Sequence, residues 1–259
     1  MVKKHRSSAI FINLLFALIY RDLTQRYRRS LLGPLWAVLQ PFILMVLFNM
    51  LHNFVNIPSD GIPYVIFSYS ALIPWTFFSN AIIFCGPSII QNVAIIKKSS
   101  MPREVFPLAA VITALIDFLM SFLIFIGMMF WFRIKFSWLM LWIFPLVLLT
   151  AFLAFALGMG IAALGTLKRD FIFATPFLLQ FLLFLSPVIY PLSSVPSKWK
   201  ALYILNPMVG IIEGFRNILV KGISPPLYSI AWSLGVSIVV FFVTWSIFKL
   251  FSQYFADML

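Results

Sequence analysis

RYRRSLLGPLWAVLQPFILMVLFNM, residues 26–50, changes character halfway along. Its first part is basic, with Arg26, Arg28 and Arg29 close together. Gly33 and Pro34 break the chain, and from Leu35 an apolar run continues to about Val55. The stretch reads as a segment lying on a membrane surface, a sharp turn and a first crossing of the bilayer. A crossing helix needs roughly 20 apolar residues to span a ~30 Å hydrocarbon layer, and this run has that length. The arginines mark the side of the turn, and that sets the sense of every later crossing.

Composition makes the same case for the whole chain. Of its 259 residues, 63% are hydrophobic and only 10% are charged, whereas a soluble domain carries about 25% charged residues. Mean hydropathy is +1.04. Lipid must therefore be the solvent for most of this surface, and the length accommodates about six crossings with short loops in one membrane domain. The net charge of +12 sits between apolar runs rather than on a soluble face. Topology-setting charge facing anionic lipid explains it better than nucleic-acid binding does. The single cysteine, Cys85, can form no internal disulfide and reads as a small packing residue. With only His5 and His52, a histidine-rich metal site is excluded, and a Ser–His or zinc hydrolase has little to work with.

The segment before the first crossing, residues 8–31, is predicted as an amphipathic interface helix. Residues 9–20 are apolar for too few positions to span. A basic start before a short apolar run also mimics a secretory signal, but Arg21 and Asp22 follow it instead of a small-residue cleavage site. Crossings are expected over 35–55, 64–88, 108–132, 139–164, 171–190 and 227–251. Pro74, Gly86 and Pro87 predict a kinked or broken second crossing. Pro102 and Glu104 resemble a short helix start. GMGIAALG, residues 158–165, offers small residues for close helix approach. Residues 191–225 are rich in Pro, Ser and Gly, yet hold two amphipathic pieces too short to span. These either dip back into the membrane or lie on its surface. Glu213 and Arg216 are spaced to pair on one helical face.

The basic residues divide unevenly. Lys3, Lys4, Arg6, Arg21, Arg26, Arg28, Arg29, Lys97, Lys98, Arg103, Lys168, Arg169 and Lys249 fall on one side. Arg133, Lys135, Lys198, Lys200, Arg216 and Lys221 fall on the other. The excess predicts that both termini are cytoplasmic.

The sequence has no GxxxxGK[ST], no GxGxxG after a strand, no GxSxG and no HExxH. Few charges lie inside the apolar runs, so an ion-coupled carrier lacks its usual relay. Asp117 is the exception, readable either as a functional carboxylate of such a carrier or as a hydrogen-bond partner for a neighbouring helix. The basic loop 91–107 suits docking of another chain, or is an ordinary topology-setting loop. A membrane-embedded lipid enzyme is disfavoured by the shortage of acid/base pairs. The tryptophans near predicted crossing ends read as an interfacial belt, or in part as a lining on which sugar rings stack.

RDLTQRYRRSLLGPLWAVLQP, KKSSMPREVFPLA and FLLFLSPVIYPLSSVP with WKALYILNPMVGIIEGFRNIL resemble the polysaccharide-export branch of the ABC-2 type permeases. The resemblance runs from about residue 20 to 251, with R-Y-x-x-S-x-L-G-x-L-W and N-P-M…F-R the more specific elements. It implies an all-helical, six-crossing inner-membrane subunit of a bacterial ATP-driven exporter, moving a lipid-linked polysaccharide such as O-antigen, capsule or teichoic acid. Two copies would pair around a channel above two separate ATP-binding subunits. ATP and Mg would belong to those partners, leaving this chain with no catalytic residue, cofactor or metal of its own. Membrane lipids would surround it, with no nucleic-acid partner. It further implies an interface helix with Arg26, Arg28 and Arg29, and a cytoplasmic coupling loop over 91–106 with Ile95, Lys97, Lys98, Met101, Arg103 and Glu104. Channel-lining candidates are then Trp36, Phe42, Phe48, Phe177, Phe181 and Tyr190. A re-entrant outer gate over 196–221 would use Trp199, Asn206, Pro207, Glu213 and Arg216. The rival reading remains a secondary carrier built on Asp117.

Overall fold

A computed structural model describes residues 2–28, 30–98, 101–252 and 255. The described residues form helices α1 (Val2–Tyr27), α2 (Leu35–Val55), α3 (Tyr64–Cys85), α4 (Val93–Lys98), α5 (Val105–Trp131), α6 (Ile143–Leu167), α7 (Asp170–Phe184), α8 (Ser197–Leu205), α9 (Pro207–Arg216) and α10 (Leu227–Ser252). Short 3-10 turns precede α4 and α6, and a π-helical turn, Asn217–Lys221, follows α9.

α2, α3, α5, α6 with its leading turn, and α10 are long and apolar enough to cross a bilayer. α7 has 15 residues, short of the roughly 20 a crossing needs. The expected fifth crossing therefore ends six residues early. Ser186 and Pro187 stop it, because proline has no N–H for a further helical turn. Five of the six expected crossings correspond to helices long and apolar enough to span, and the expected fifth corresponds to the shorter apolar α7.

α1 closes at Tyr27 rather than at residue 31. Beyond it Gly33 adopts φ +51, a left-handed conformation that glycine takes without penalty. Its N–H is held by Ser30 Oγ at 3.2 Å. The S-x-x-G spacing of the opening stretch is thus the turn that frees α2 to start at Leu35. α3 runs unbroken through Pro74 and stops at Cys85, not at residue 88. Helix packing on all sides holds the proline in place, and Gly86 and Pro87 supply the break. The expected short helix around Pro102 is instead the approach to α5. The Pro102 carbonyl accepts from Val105 N–H at 3.4 Å, and Ser99 and Ser100 lie outside the described residues.

α3 is the axis of the bundle. Of its apolar window 89% is buried, against 11% for α2 and for α10. It packs on α2, α5, α6, α7 and α9. Its serine and threonine hydroxyls are satisfied within the helix, for example Ser70 Oγ to Phe67 O at 2.8 Å, so they cost little there. Where α6 crosses α3, Gly158 lies so close to Cys85 that an added Cβ would sit 2.6 Å from the Cys85 Cβ. Cys85 is accordingly buried packing, its Sγ directed at Pro107 O at 3.3 Å. The outward surfaces of α2 and α10 are largely apolar, as lipid or a neighbouring chain requires.

Candidate functional site

Three constellations of charged and polar groups stand out among the described residues. The first ties α1 beneath the bundle. Arg26 Nη1 donates to Asp117 Oδ2 at 2.8 Å, and Tyr27 Oη donates to Asp117 Oδ1 at 2.6 Å. The Arg26 guanidinium also lies 3.5 Å from the Phe84 ring centroid, a cation–π contact. Burial pushes the Tyr27 hydroxyl above its ordinary range, and the Asp117 carboxylate it serves pushes it the same way. Tyr27 therefore stays a neutral donor. One turn earlier, Arg21 spans Asp22 at 2.7 Å and Asn92 Oδ1 at 2.6 Å. A cavity of about 430 Å³ lies between these anchors, lined by Asp22, Gln25, Arg26, Ser88, Gln91 and Thr113 among others.

The second is the α3–α5 connection. Asn92, held by Arg21, is the residue before α4. Along α4, Ile96 is buried while Lys97 and Lys98 are exposed, and Ile95 is half-buried. Met101, Arg103 and Glu104 follow, all half-buried. Glu104 pairs with Lys249 near the end of α10 at 2.5 Å, and Arg103 lies 5.7 Å from the Phe255 ring. One short segment is thus tied to α1 on one side and to α10 on the other.

The third is at the opposite end of the bundle. Asn206 caps α9, with Oδ1 accepting from Met208 N–H at 3.0 Å and Pro207 at the first helical position. Its Nδ2 donates to Ser186 Oγ at 2.8 Å. α9 is buried against α3, α6 and α10. Gly210 permits this, since an added Cβ would meet Ser229 O at 2.5 Å. The Glu213–Arg216 pair allowed by the spacing is formed, at 2.6 Å. Arg216 is fully buried, donates to Pro187 O at 2.7 Å and stacks 3.8 Å from the Phe67 centroid. Beside it Asp60 accepts from Ser193 and from Lys221 Nζ, each at 2.9 Å.

The sequence pattern of the ABC-2 type transporter family matches residues 13–220, a span that holds all three constellations apart from Lys221, Lys249 and Phe255. The chain belongs to the ABC-2 type transporter family. Among its relatives is the O-antigen export system permease protein RfbA of Myxococcus xanthus, 29% identical over 271 residues and covering 99% of both chains. The protein of the same name from Klebsiella pneumoniae is 26% identical over 263 residues, covering 100% of this chain and 99% of its own. The polysialic acid transport protein KpsM of Escherichia coli is 24% identical over 239 residues, covering 90% and 91%.

The residues singled out in the sequence are distributed unevenly over this ABC-2 chain. Arg26 is an anchor, Arg28 is exposed, and Arg29 lies outside the described residues. Trp36, Phe42, Phe177 and Phe181 stand on exposed apolar faces of α2 and α7. Phe48 instead lines a cleft between α2, α3 and α7. Tyr190 lies beyond α7 and is held by the Phe184 carbonyl at 2.6 Å and by the Tyr203 hydroxyl. Trp199 is exposed on α8, which buries no residue. Of the two amphipathic pieces, then, α8 lies open and α9 is buried. Sequence reasoning missed Asn92, Tyr27, Phe84, Asp60 and Lys221 as partners. Each is unremarkable locally, and only its distant neighbour gives it a role. The G-x-x-x-G of Gly210 and Gly214 was a usable signal for the α9 contact.

Proposed function

We propose that this chain is the permease subunit of an ATP-driven exporter that moves a lipid-linked polysaccharide across a bacterial inner membrane. The observation that carries this is the full-length likeness to permeases named for O-antigen export, on a helical membrane bundle whose sequence lacks an ATP-binding signature. Work must then come from a separate ATP-binding chain. α4 with residues 101–104 is the docking segment. Lys97 and Lys98 are its exposed contacts, and Ile95, Met101, Arg103 and Glu104 hold its seat. Movement there passes to α1 through Arg21–Asn92 and to α10 through Glu104–Lys249.

Two copies pair through the apolar faces of α2 and α7, with Trp36, Phe42, Phe48, Phe177, Phe181 and Tyr190 along the passage. α7 completes six crossings together with the turn that follows it. α8 and α9 form a re-entrant outer gate, a role supported by a buried α9 of 10 residues, too short to span. Trp199 and Asn206 border that gate, Pro207 begins its buried helix, and Glu213 with Arg216 brace it. Both termini are cytoplasmic, in keeping with the excess of Lys and Arg on that side. The ion-coupled alternative loses its candidate residue, because Asp117 is occupied by Arg26 and Tyr27.

Deleting the gene in its host should leave polymer inside the cell, and the chain together with an ATP-binding partner should restore surface display. Restoration by this chain alone, or dependence on an ion gradient in place of ATP, would overturn the reading.

A further inference from the structure

The cleft lined by Phe48 also gathers three amides at membrane depth. Gln40 of α2, Asn80 of α3 and Gln180 of α7 line a single concavity of about 260 Å³, with Trp75, Phe48 and Phe184 on its walls. Asn80 Nδ2 donates to Gln40 Oε1 at 3.2 Å. Among the described residues that leaves the Gln40 amide donors and the Asn80 carbonyl oxygen open. Gln180 has no hydrogen-bond partner among the described residues. Gln40 and Gln180 are exposed and Asn80 is half-buried. Gln40 and Asn80 lie five residues from the α2 start and the α3 end respectively, so both are within the apolar spans.

Open amides facing hydrocarbon are strongly disfavoured, because lipid offers them no partner. Three of them, from three helices converging on one hollow, call for a polar occupant. The cleft contains no charged side chain, which argues against an anion or a cation. It offers both donors and acceptors beside aromatic surface, and Phe184 is 53% exposed. That combination suits a neutral ring bearing several hydroxyls, whose O–H groups both give and accept while its C–H face lies on an aromatic ring.

We infer that Gln40, Asn80 and Gln180 form a hydroxyl-reading subsite for neutral sugar rings in the cleft between α2, α3 and α7. The inference rests on the export reading above and adds to it the residues that contact the passing polymer.

The test uses the full chain with its partners in the native host, in strains that do and do not make the polymer. The photoreactive residue p-benzoylphenylalanine is introduced in place of Gln180 and irradiated in cells. A carbohydrate-staining adduct of high mass in polymer-making cells alone is the expected result. Adducts with lipid or with a second copy of the chain, and no carbohydrate-staining adduct in polymer-making cells, would overturn the inference. In parallel, Gln40→Leu with Gln180→Leu should lower surface polymer about tenfold or more, the loss of a few hydrogen bonds, at an unchanged level of chain in the membrane. Leucine is close to glutamine in size and favours lipid, so the loss would not come from unfolding. Gln180→Asn should recover part of the display. Wild-type display by the double variant would sink the subsite while the deletion phenotype still upheld export. A deletion strain with normal surface polymer would sink both.

Discussion

Arg26 and Asp117 are 91 positions apart in the chain and 2.8 Å apart in space. One ends the helix beneath the bundle, and the other lies inside a membrane-crossing helix. Their contact fixes how α1 sits against α5, and Tyr27 doubles it by bonding the second carboxylate oxygen. An intramembrane carboxylate is tolerated because it never lacks a cation.

Removing Arg26 leaves that carboxylate with Tyr27 alone. Arg26→Met should destabilise the purified complex by about 2 kcal/mol. This is less than the ~3–5 kcal/mol of a fully buried pair, because the Arg26 side chain is 29% exposed. Thermal unfolding in detergent measures this. Asp117→Asn should lower stability without making transport depend on an ion gradient; a gained or lost ion dependence would return Asp117 to a coupling role.

Arg216 is held by a carboxylate, a carbonyl and a ring at once. Lysine cannot reproduce the forked donation to Glu213 and Pro187 O while stacking on Phe67. Arg216→Lys should therefore cost about 2 kcal/mol and Arg216→Ala about 3–5 kcal/mol, read from the same unfolding curves. Equal stability of Arg216→Lys and wild type would mean the fork is dispensable.

Two glycines give opposite expectations. An added methyl at Gly210 would strike the Ser229 backbone at 2.5 Å, so Gly210→Ala should cost about 1–3 kcal/mol and loosen α9. Gly235 on α10 has nothing within 4 Å of its added Cβ. Gly235→Ala should be neutral or stabilising by up to about 1 kcal/mol, since alanine is the better helix former.

Burial opposes ionisation of Asp60, but Lys221 and Ser193 outweigh it, and the carboxyl lies below the ordinary range. The folded form binds its proton less readily than the unfolded chain does. The tether is thus fully present above the ordinary carboxylate range and is lost as pH falls through the lowered value. Protection of loop 56–63 against hydrogen exchange, taken relative to the intrinsic rate at each pH, should hold from neutral pH down to about pH 4 and fall below that. Asp60→Asn should remove the pH step, and a step that persisted would assign it to another group.

Lys97 and Lys98 are exposed and form no part of the bundle core. Lys97→Glu with Lys98→Glu should leave thermal stability within about 0.5 kcal/mol of wild type while reducing recovery of the ATP-binding partner on an affinity column. Unchanged recovery would move the docking surface elsewhere.

Much of the helical layout was legible in one sequence. The α2 bounds follow from Gly33-Pro34 before an apolar run and a turn after it. The Glu213–Arg216 pair follows from helical spacing. Helix existence, membrane depth and the punctuation by proline and glycine are local properties, written within a turn or two of backbone. The end of α7 was misplaced because Ser186 and Pro187 interrupt a run that composition alone carries on to Tyr190.

What only the tertiary structure decided is which helices meet. In lipid, apolar side chains gain nothing by choosing one helix over another. The choice falls to sparse small residues such as Gly158 and Gly210, and to polar contacts such as Arg26–Asp117 and Arg21–Asn92. Gln40, Asn80 and Gln180 are isolated letters in apolar runs, and no period or spacing links them. The chain's own letters determined that it is built of membrane-crossing helices and where some of them start, as at Leu35 of α2. Three-dimensional packing decided which distant polar groups face one another, because their attraction acts over a few ångströms of space and not along the backbone.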